Sequence, residues 1–569
     1  MIPNESPALV ETARGLSVAY GGRFLYSRYD PTKAAIAAIN FLHLLPETLV
    51  LCFSPILGYG LAELLARLPP SCMVLAVERD ERLMALSLSA IDRAILEDPR
   101  FRYARASEPE AIISYIDGFW AKGPYRRCAR VELSGGASLN PEFYSNVTRL
   151  ADDYVSRFWR NRVTLIKLGR NYARNFFRNL ATLADRASLV RPRTDRASVN
   201  RTILVAGAGP SLETALDFMR DRRGALYILA VDTALPTLRD AGIVPDAVVL
   251  VESQYWIEKA FIGFRGTGIP LFADLTARPG AIASFAGPVS FFRTEYAEAN
   301  YLARFKNSCV DIPTFPPLGS VGLTAIALAH YLAEEGIPVL FTGLDFAWGR
   351  GYTHSRGSPA PRASLDGTTR LTPLSGSHVA TSQGAEATIG RDGKYAITDP
   401  ALRGYAETLG HAFARDPNLF DVGGRGIETG CASLSLAEAV DLVERFADKT
   451  HRADVTRTDE TCTDATRTNV TQSDSAQQKD AIMGFLEGER KGLEELVGIL
   501  TGDDAGNNAR VDDAGSAEAN SERVKRLVTD MDYLFLHFPD GHRGYEDTQS
   551  FLNRVRVEAG YFQKILAHL

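Results

Sequence analysis

The segment RTILVAGAGPSLETAL, residues 201–216, holds the residue pattern best suited to chemistry in this chain. An apolar run breaks into Gly207, Ala208, Gly209, Pro210 and Ser211, and a helical pattern follows. Two glycines let a backbone turn tightly and approach a ligand. Proline suits the first turn of a helix, and serine adds a hydroxyl beside free N–H groups. Those groups and the helix dipole favour an anion, so phosphate is the expected guest. Asp232 ends the next apolar run, 23 residues after Gly209, within reach of a ribose hydroxyl and followed by Thr233. No GK[ST] follows the turn, which excludes the lysine and magnesium hydroxyl of an ATP-hydrolysing loop. A second turn, PLGSVG, places Gly319, Ser320 and Gly322 before a helical run. A third feature is the run PVLFTG, which ends in Gly343, Leu344, Asp345 and Phe346. In a parallel sheet all three lie at the carboxyl edge, where ligands bind, and can converge on one nucleotide. Glu252 ends the run AVVLVE, as a ligand contact or as a strand cap.

For proton transfer the first candidate is His354, in a glycine-rich loop after Asp345. A free imidazole titrates near neutrality, and loops after binding strands are enriched in function. His378, in LSGSHVATS, comes next, whereas His330 sits in an apolar helical run and reads as a packing residue. Arg350 and Tyr352 are placed to steady a leaving phosphate or to be solvated loop residues. No His, Cys and carboxylate cluster has metal-ligand spacing, so no metal site is expected; Asp232, Glu252 and Asp345 could share a divalent ion, but a DxD motif is absent. A GxSxG nucleophile turn is also missing.

The elements that must position these residues alternate between strand and helix from 201 to about 447. Such alternation predicts a mainly parallel sheet covered on both faces. At the amino end, LSVAYGGRFLYS predicts a hairpin, and Pro31 opens a helix. The strand TLVLCF, a turn from Ser54 to Gly60, the helix LAELLARL and the strand MVLAVE ending at Glu78 then outline a Rossmann-like half. Ser54 and Pro55 stand where a dinucleotide fingerprint has glycine, so a structural α/β domain is the favoured reading there. Residues 142–190 are helical in period, with Trp159, Leu165, Leu168, Tyr172, Phe176 and Leu180 on one stripe. Asn171, Asn175 and Asn179 recur every four residues and read as a polar face of a connecting helix. Residues 449–480 are rich in Thr and Asp and poor in large apolar residues, which predicts a flexible linker. Helical patterns in 481–500 and 521–569 predict a small bundle or a partner-binding appendage. The expected organisation is an α/β domain at 1–141, a connector at 142–200, a central domain at 201–448, the linker at 449–480 and a helical domain at 481–569.

With 569 residues the chain has room for two to four domains. Hydrophobic residues at 45% and charged residues at 23% are ordinary for a globular protein. A net charge of −6 gives no global argument for nucleic acid. Six scattered cysteines without a CxxC pair fit a reducing compartment. A basic-then-apolar leader is not seen at the start, and no apolar run reaches about 18 residues. A cytoplasmic protein without a membrane span is therefore expected.

These motifs in order resemble the motility associated factor (Maf) family of flagellin glycosyltransferases, whose central domain is shared with archaeal 6-hydroxymethylpterin diphosphokinase-like (MptE-like) proteins. The resemblance spans residues 16–440. It rests on YGGRFLYSRYDPTKAA, GYGLAEL and VLAVERD, then VAGAGPSL, AVDTALPTLRDAGIVPDAVVLVE, PPLGSVGLTAIALAHYL, LFTGLDFAWGRGYTHSRG and GGRGIETG. The core is also similar to bacterial sialyltransferases that use CMP-sugars. What the resemblance implies is an α/β protein with a Rossmann-like N-terminal domain, a central sialyltransferase-like nucleotide-binding domain and a C-terminal helical domain. It implies that Gly207, Gly209, Pro210, Ser211, Asp232, Ser320 and Gly322 surround a nucleotide, with no cofactor beyond a CMP-activated sugar donor. The implied reaction moves a nonulosonic, sialic-acid-like sugar to a Ser or Thr hydroxyl of flagellin. Two departures stand out. Ala208 replaces an Asn of the sialyltransferase turn. Near Thr398 and Asp399 stand Lys394 and Tyr395 where those enzymes carry a general-base His, which leaves His354 as the chosen base. The alternatives are ATP-dependent pyrophosphoryl transfer to a pterin and a non-catalytic nucleotide-binding factor of flagellar assembly.

Overall fold

Thr48–Phe53 and Met73–Glu78 are buried at every position. Strands covered on both faces are apolar throughout, as expected for a parallel sheet. The structure, a computed structural model, describes residues 6–120, 125–186, 188–189, 199–308, 310, 312–349, 353–371, 384–413, 415–457, 472–502 and 514–569. It divides into two compact units, residues 1–167 with 538–544 and residues 168–537 with 545–569.

In the first unit, β1 (Ala8–Thr12), β2 (Gly15–Tyr20) and β3 (Arg23–Phe24) form an antiparallel sheet, so the Gly21–Gly22 hairpin is present with one strand added before it. Strands β4 (Thr48–Phe53), β5 (Met73–Glu78), β6 (Phe101–Arg105) and β7 (Arg127–Glu132) form a parallel sheet in the order β6-β5-β4-β7. Period-two alternation splits its side chains between two cores. Leu49, Leu51 and Phe53 pack with Phe143, Tyr144 and Val147 of the helix Pro141–Arg186; Val50 and Cys52 pack with Leu61, Leu64 and Ile39.

In the second unit a ten-stranded sheet, counted among the described residues, pairs in parallel throughout. Its strands are β8 (Ser188–Leu189), β9 (Thr202–Ala206), β10 (Leu226–Val231), β11 (Ala247–Leu250), β12 (Leu271–Asp274), β13 (Val289–Thr294), β14 (Thr314–Phe315), β15 (Val339–Thr342), β18 (Leu419–Val422) and β19 (Ala432–Leu434). A separate hairpin joins β16 (Glu386–Ile389) to β17 (Tyr395–Thr398). The path runs β14-β13-β12-β11-β10-β9-β15-β18-β19, with β8 beside β13. The chain therefore winds one way from β9 through β14 and then returns to β9's other side with β15. In open α/β sheets ligands bind at the carboxyl edge where the strand order reverses, which here is between β9 and β15.

Two expectations are corrected. Asn175 and Asn179 are not a solvated face but fully buried. The Asn175 Nδ2 donates to the Ser253 and Thr276 carbonyls, each at 3.0 Å, and the Asn179 Nδ2 to those of Leu275 and Ala277, each at 2.8 Å. They satisfy loop carbonyls that no strand can pair. The expected linker at 449–480 is helical at both ends: the helix Leu436–Arg457 enters it, and Gln472–Thr501 begins inside it. Residues 458–471 lie outside the described residues. Polar segments continue a helix when its apolar part, here Ala439 and Val443, is already packed.

The helices Gln472–Thr501, Ala514–Asp530 and Gln549–Leu566 belong to the second unit. The buried Glu489 of Gln472–Thr501 meets Arg304 at 2.5 Å, and Asp532, in the turn after Ala514–Asp530, accepts the Asn300 amide at 2.6 Å. Among the described residues no helix is long and apolar enough to cross a membrane.

Candidate functional site

The turn after β9 does not stand open. The Gly207 amide donates to the Thr342 carbonyl at 2.8 Å, and the Gly209 amide to that of Gly343 at 2.7 Å. The Ser211 amide is capped by the Asp345 carboxylate at 2.9 Å, and the Ser211 hydroxyl accepts the Gly343 amide at 2.8 Å. Both glycines are required by this approach. A Cβ on Gly207 would lie 2.3 Å from the Gly343 carbonyl oxygen, and one on Gly209 would lie 2.3 Å from Asp345 Oδ2. The expected amide cradle for phosphate is thus corrected: the carboxylate of Asp345 already holds the anion's place at the start of the helix Leu212–Asp221. A carboxylate there gains from the same N–H groups and dipole that a phosphate would. Burial lifts the Asp345 carboxyl above its ordinary range, opposed by these hydrogen bonds and by Arg391 and Arg425. Its role here is to position the turn.

The three glycine corners do meet. Leu344 packs against Gly207 and against Gly322, where an added Cβ would lie 2.3 Å from its Cδ2. Ser320 caps the helix Val321–Leu332, its hydroxyl accepting the Gly322 amide at 3.2 Å. Gly319 has φ +78° and sits under the Tyr405 ring. Pro210 lies in the turn, its carbonyl accepting the Glu213 amide.

Beside this locked turn, the ends of β10 and β11 hold unsatisfied groups. Asp232 is 1% exposed; one carboxylate oxygen accepts the Thr233 amide at 2.6 Å, and the other has no partner among the described residues. Burial pushes its pKa up to about 7, and the neighbouring Glu252 carboxylate adds to the rise. Glu252 is half-buried and accepts the Gln254 amide. The buried Ser253 hydroxyl also lacks a partner among the described residues. By contrast Asp274 at the end of β12 is filled by Thr276 and Thr294, and Glu78 in the first unit by Ser54, Tyr144 and the Asp80 amide. Those two acids are structural.

His354 is carried by a loop fastened at both ends of the turn. The Ser355 amide donates to the Ala208 carbonyl at 2.8 Å, and its hydroxyl meets that of Thr237 at 2.8 Å. The Arg356 amide donates to Glu213 at 2.7 Å. The imidazole is solvent-exposed on one side yet crowded enough that desolvation holds its pKa below the ordinary histidine range. Its Nδ1 pairs with the Thr353 hydroxyl at 3.0 Å, which leaves Nε2 for chemistry. No hydrogen bond joins His354 to Asp345 among the described residues. Arg350, Tyr352 and His378 lie outside the described residues. His330 stacks on Phe413 and faces Asp416 at 3.2 Å, a packing role.

Residues without a sequence signal complete the site. Phe346 has φ +49°, left-handed for a bulky side chain, and its carbonyl accepts the Thr398 hydroxyl at 2.8 Å. Such strain persists only where surroundings enforce it. On the far side of β15, Asp421 pairs with Arg391 at 2.6 Å, and burial lifts that carboxyl to about 7 against the arginine's pull. Among the described residues no group of three or more His, Cys, Asp and Glu is placed to hold a metal ion.

A family model described as 6-hydroxymethylpterin diphosphokinase MptE-like matches residues 174–351. The whole chain aligns at 33% identity with an uncharacterized protein of Treponema pallidum (strain Nichols), covering 96% of that protein. A second Treponema pallidum protein, also uncharacterized, is 30% identical over 90 residues, 16% of this chain and 41% of that protein. Among solved structures, the Maf glycosyltransferase from Magnetospirillum magneticum AMB-1 superposes with a TM-score of 0.53 at 15% identity, covering 99% of this chain and 92% of that one.

Proposed function

Because this chain belongs to the family of its full-length Treponema pallidum relative, with an MptE-like domain in the fold of the Maf glycosyltransferase, we propose that it is itself a glycosyltransferase. The donor is a CMP-activated nonulosonic sugar and the acceptor a Ser or Thr hydroxyl of flagellin, in the cytoplasm and without a metal. The observation that carries this reading is the buried oxygen of Asp232 at the carboxyl edge, without a partner among the described residues, in the segment whose following helix meets the His354 loop through Thr237 and Ser355. A buried acceptor without a donor is costly, and a ribose hydroxyl supplies one. The acceptor oxygen attacks the anomeric carbon, the bond to the phosphate oxygen breaks, and CMP departs. His354 Nε2 takes the hydroxyl proton; its depressed pKa keeps it neutral and ready to do so. Because Asp345 fills the amide bend, the phosphate is expected outside it, toward the Thr233 hydroxyl.

Calorimetry with CMP, CDP, UDP and ATP, with and without magnesium, tests this reading. CMP preferred without metal is the expected result. The description of the matching family model favours a second reading, pyrophosphoryl transfer to a pterin, and tight magnesium-dependent ATP binding would establish it instead. The variant His354→Ala should keep CMP affinity within about twofold and slow transfer about 100-fold or more, the usual size of general-base catalysis; full activity removes His354 from the mechanism.

A further inference from the structure

Tyr255 and Trp256 are large aromatics left 53% and 54% exposed, three and four residues beyond Glu252. Their ring centres lie 4.0 Å apart with the planes tilted by 33°. The turn Tyr255–Phe261 that carries them is rigidly seated: Ile257, Ala260 and Phe261 are buried, and Phe261 packs edge-on to Phe285 at 5.1 Å. Just before it, the Ser253 carbonyl is held by Asn175. The turn packs against the segment Asp232–Ala234 and follows Ser253 closely in the chain; the Asp232 oxygen and the Ser253 hydroxyl have no partner among the described residues. Charge at the rim is asymmetric. Glu258 is taken by Arg278 at 2.6 Å, whereas the Lys259 ammonium lies 5.4 Å from the Trp256 ring centre and makes no ion pair among the described residues.

We propose that Tyr255, Trp256 and Lys259 form the subsite that seats the acidic sugar of the donor, with the C–H face of its ring on the aromatic pair and its carboxylate at the Lys259 ammonium. The inference rests on the glycosyltransferase reading above. Exposed, pre-oriented aromatics beside a few convergent polar groups are the usual lining of a small-molecule site. A nucleobase would also stack, but it brings no negative charge for Lys259. A sugar acid brings the apolar ring face, a hydroxyl for Ser253, and the carboxylate, and leaves Asp232 to the ribose.

The test titrates the full chain with CMP and with CMP-N-acetylneuraminic acid, read by calorimetry and by tryptophan fluorescence. The wild-type chain should bind the sugar nucleotide at least tenfold more tightly than CMP. Trp256→Ala and Lys259→Gln should each erase most of that difference and leave CMP affinity within twofold; Trp256→Phe should restore part of it. If the chain binds CMP but shows no gain from the sugar, or if both variants keep the gain, the subsite is refuted while the nucleotide reading stands. If CMP itself does not bind, the glycosyltransferase reading fails and the subsite fails with it.

Discussion

Replacing Gly207 with alanine should unlock the junction of β9 and β15. The added Cβ would sit 2.3 Å from the Gly343 carbonyl oxygen and 2.7 Å from the Gly343 carbonyl carbon, where real contacts stay above 3.0 Å. Backbone must therefore move, because no side chain can yield in its place. A shift of that size lengthens the hydrogen bonds from Gly207 to Thr342, now 2.8 Å, and from Gly209 to Gly343, now 2.7 Å. Overpacking costs about 1–3 kcal/mol, and each weakened buried hydrogen bond adds about 1 kcal/mol, giving about 3–5 kcal/mol locally. Gly322→Ala meets the Leu344 side chain, with Cδ2 at 2.3 Å, Cδ1 at 3.2 Å and Cγ at 3.3 Å; a side chain can rotate away where backbone cannot, so the cost should be about 1 kcal/mol. Gly224→Ala has open space around it and should be neutral or stabilising by about 0.4–1 kcal/mol. Hydrogen exchange of peptides covering Thr202–Ala206 and Val339–Thr342 reads these differences in place. Exchange there should accelerate about 100-fold or more in Gly207→Ala, since about 1.4 kcal/mol is a factor of ten. Gly207→Ala exchanging within threefold of wild type would refute the close-approach argument.

Asn179→Ala strips the shared donor from the Leu275 and Ala277 carbonyls and should destabilise the second unit by about 2–3 kcal/mol, seen as a lower urea midpoint; Asn171→Ala, only partly buried, should leave it unchanged. Asp232 has a folded pKa of about 7 against an ordinary 3.8, so the unfolded chain releases this proton first as pH rises. Its contribution to stability therefore declines between about pH 4 and pH 7 and is flat above, and Asp232→Asn should gain on wild type by up to about 4 kcal/mol across that window; a gap between the two urea curves that does not grow with pH would contradict this. Thr398→Val removes the hydroxyl that locks the left-handed Phe346 and should loosen the loop beyond Asp345, measured as faster proteolysis between residues 345 and 349.

The sheet strands were legible because they are short apolar runs bounded by glycine or acidic residues. The meeting of the three glycine corners was legible too, since a parallel sheet brings its strand ends to one edge. Asp345 stands out in the sequence, but its role does not: the amide it caps is 134 positions earlier in the chain. Periodicity placed Asn175 and Asn179 on one face correctly. Their burial depends on carbonyls 78 to 101 residues away, which no local window contains. The left-handed Phe346 left no trace because a phenylalanine gives no sign of positive φ, unlike a glycine. Tyr255 and Trp256 carried no periodic signal, as they lie in a single turn held by three buried neighbours.

The two-way winding from β9 imposes an order on synthesis. Thr202 meets its β10 partner Leu226 24 positions later, whereas Ile203 meets its β15 partner Val339 after 136 positions. Closing the longer loop costs about 1.5 kcal/mol more. As the ribosome advances, the half-sheet from β9 to β14 can assemble while β9 still has a bare edge and the Ser211 amide still lacks its carboxylate. The arrival of Gly343 and Asp345 closes that edge and sets the turn together, so the carboxyl edge takes its final form late in folding, and any fragment cut before Gly343 should be prone to edge-to-edge association.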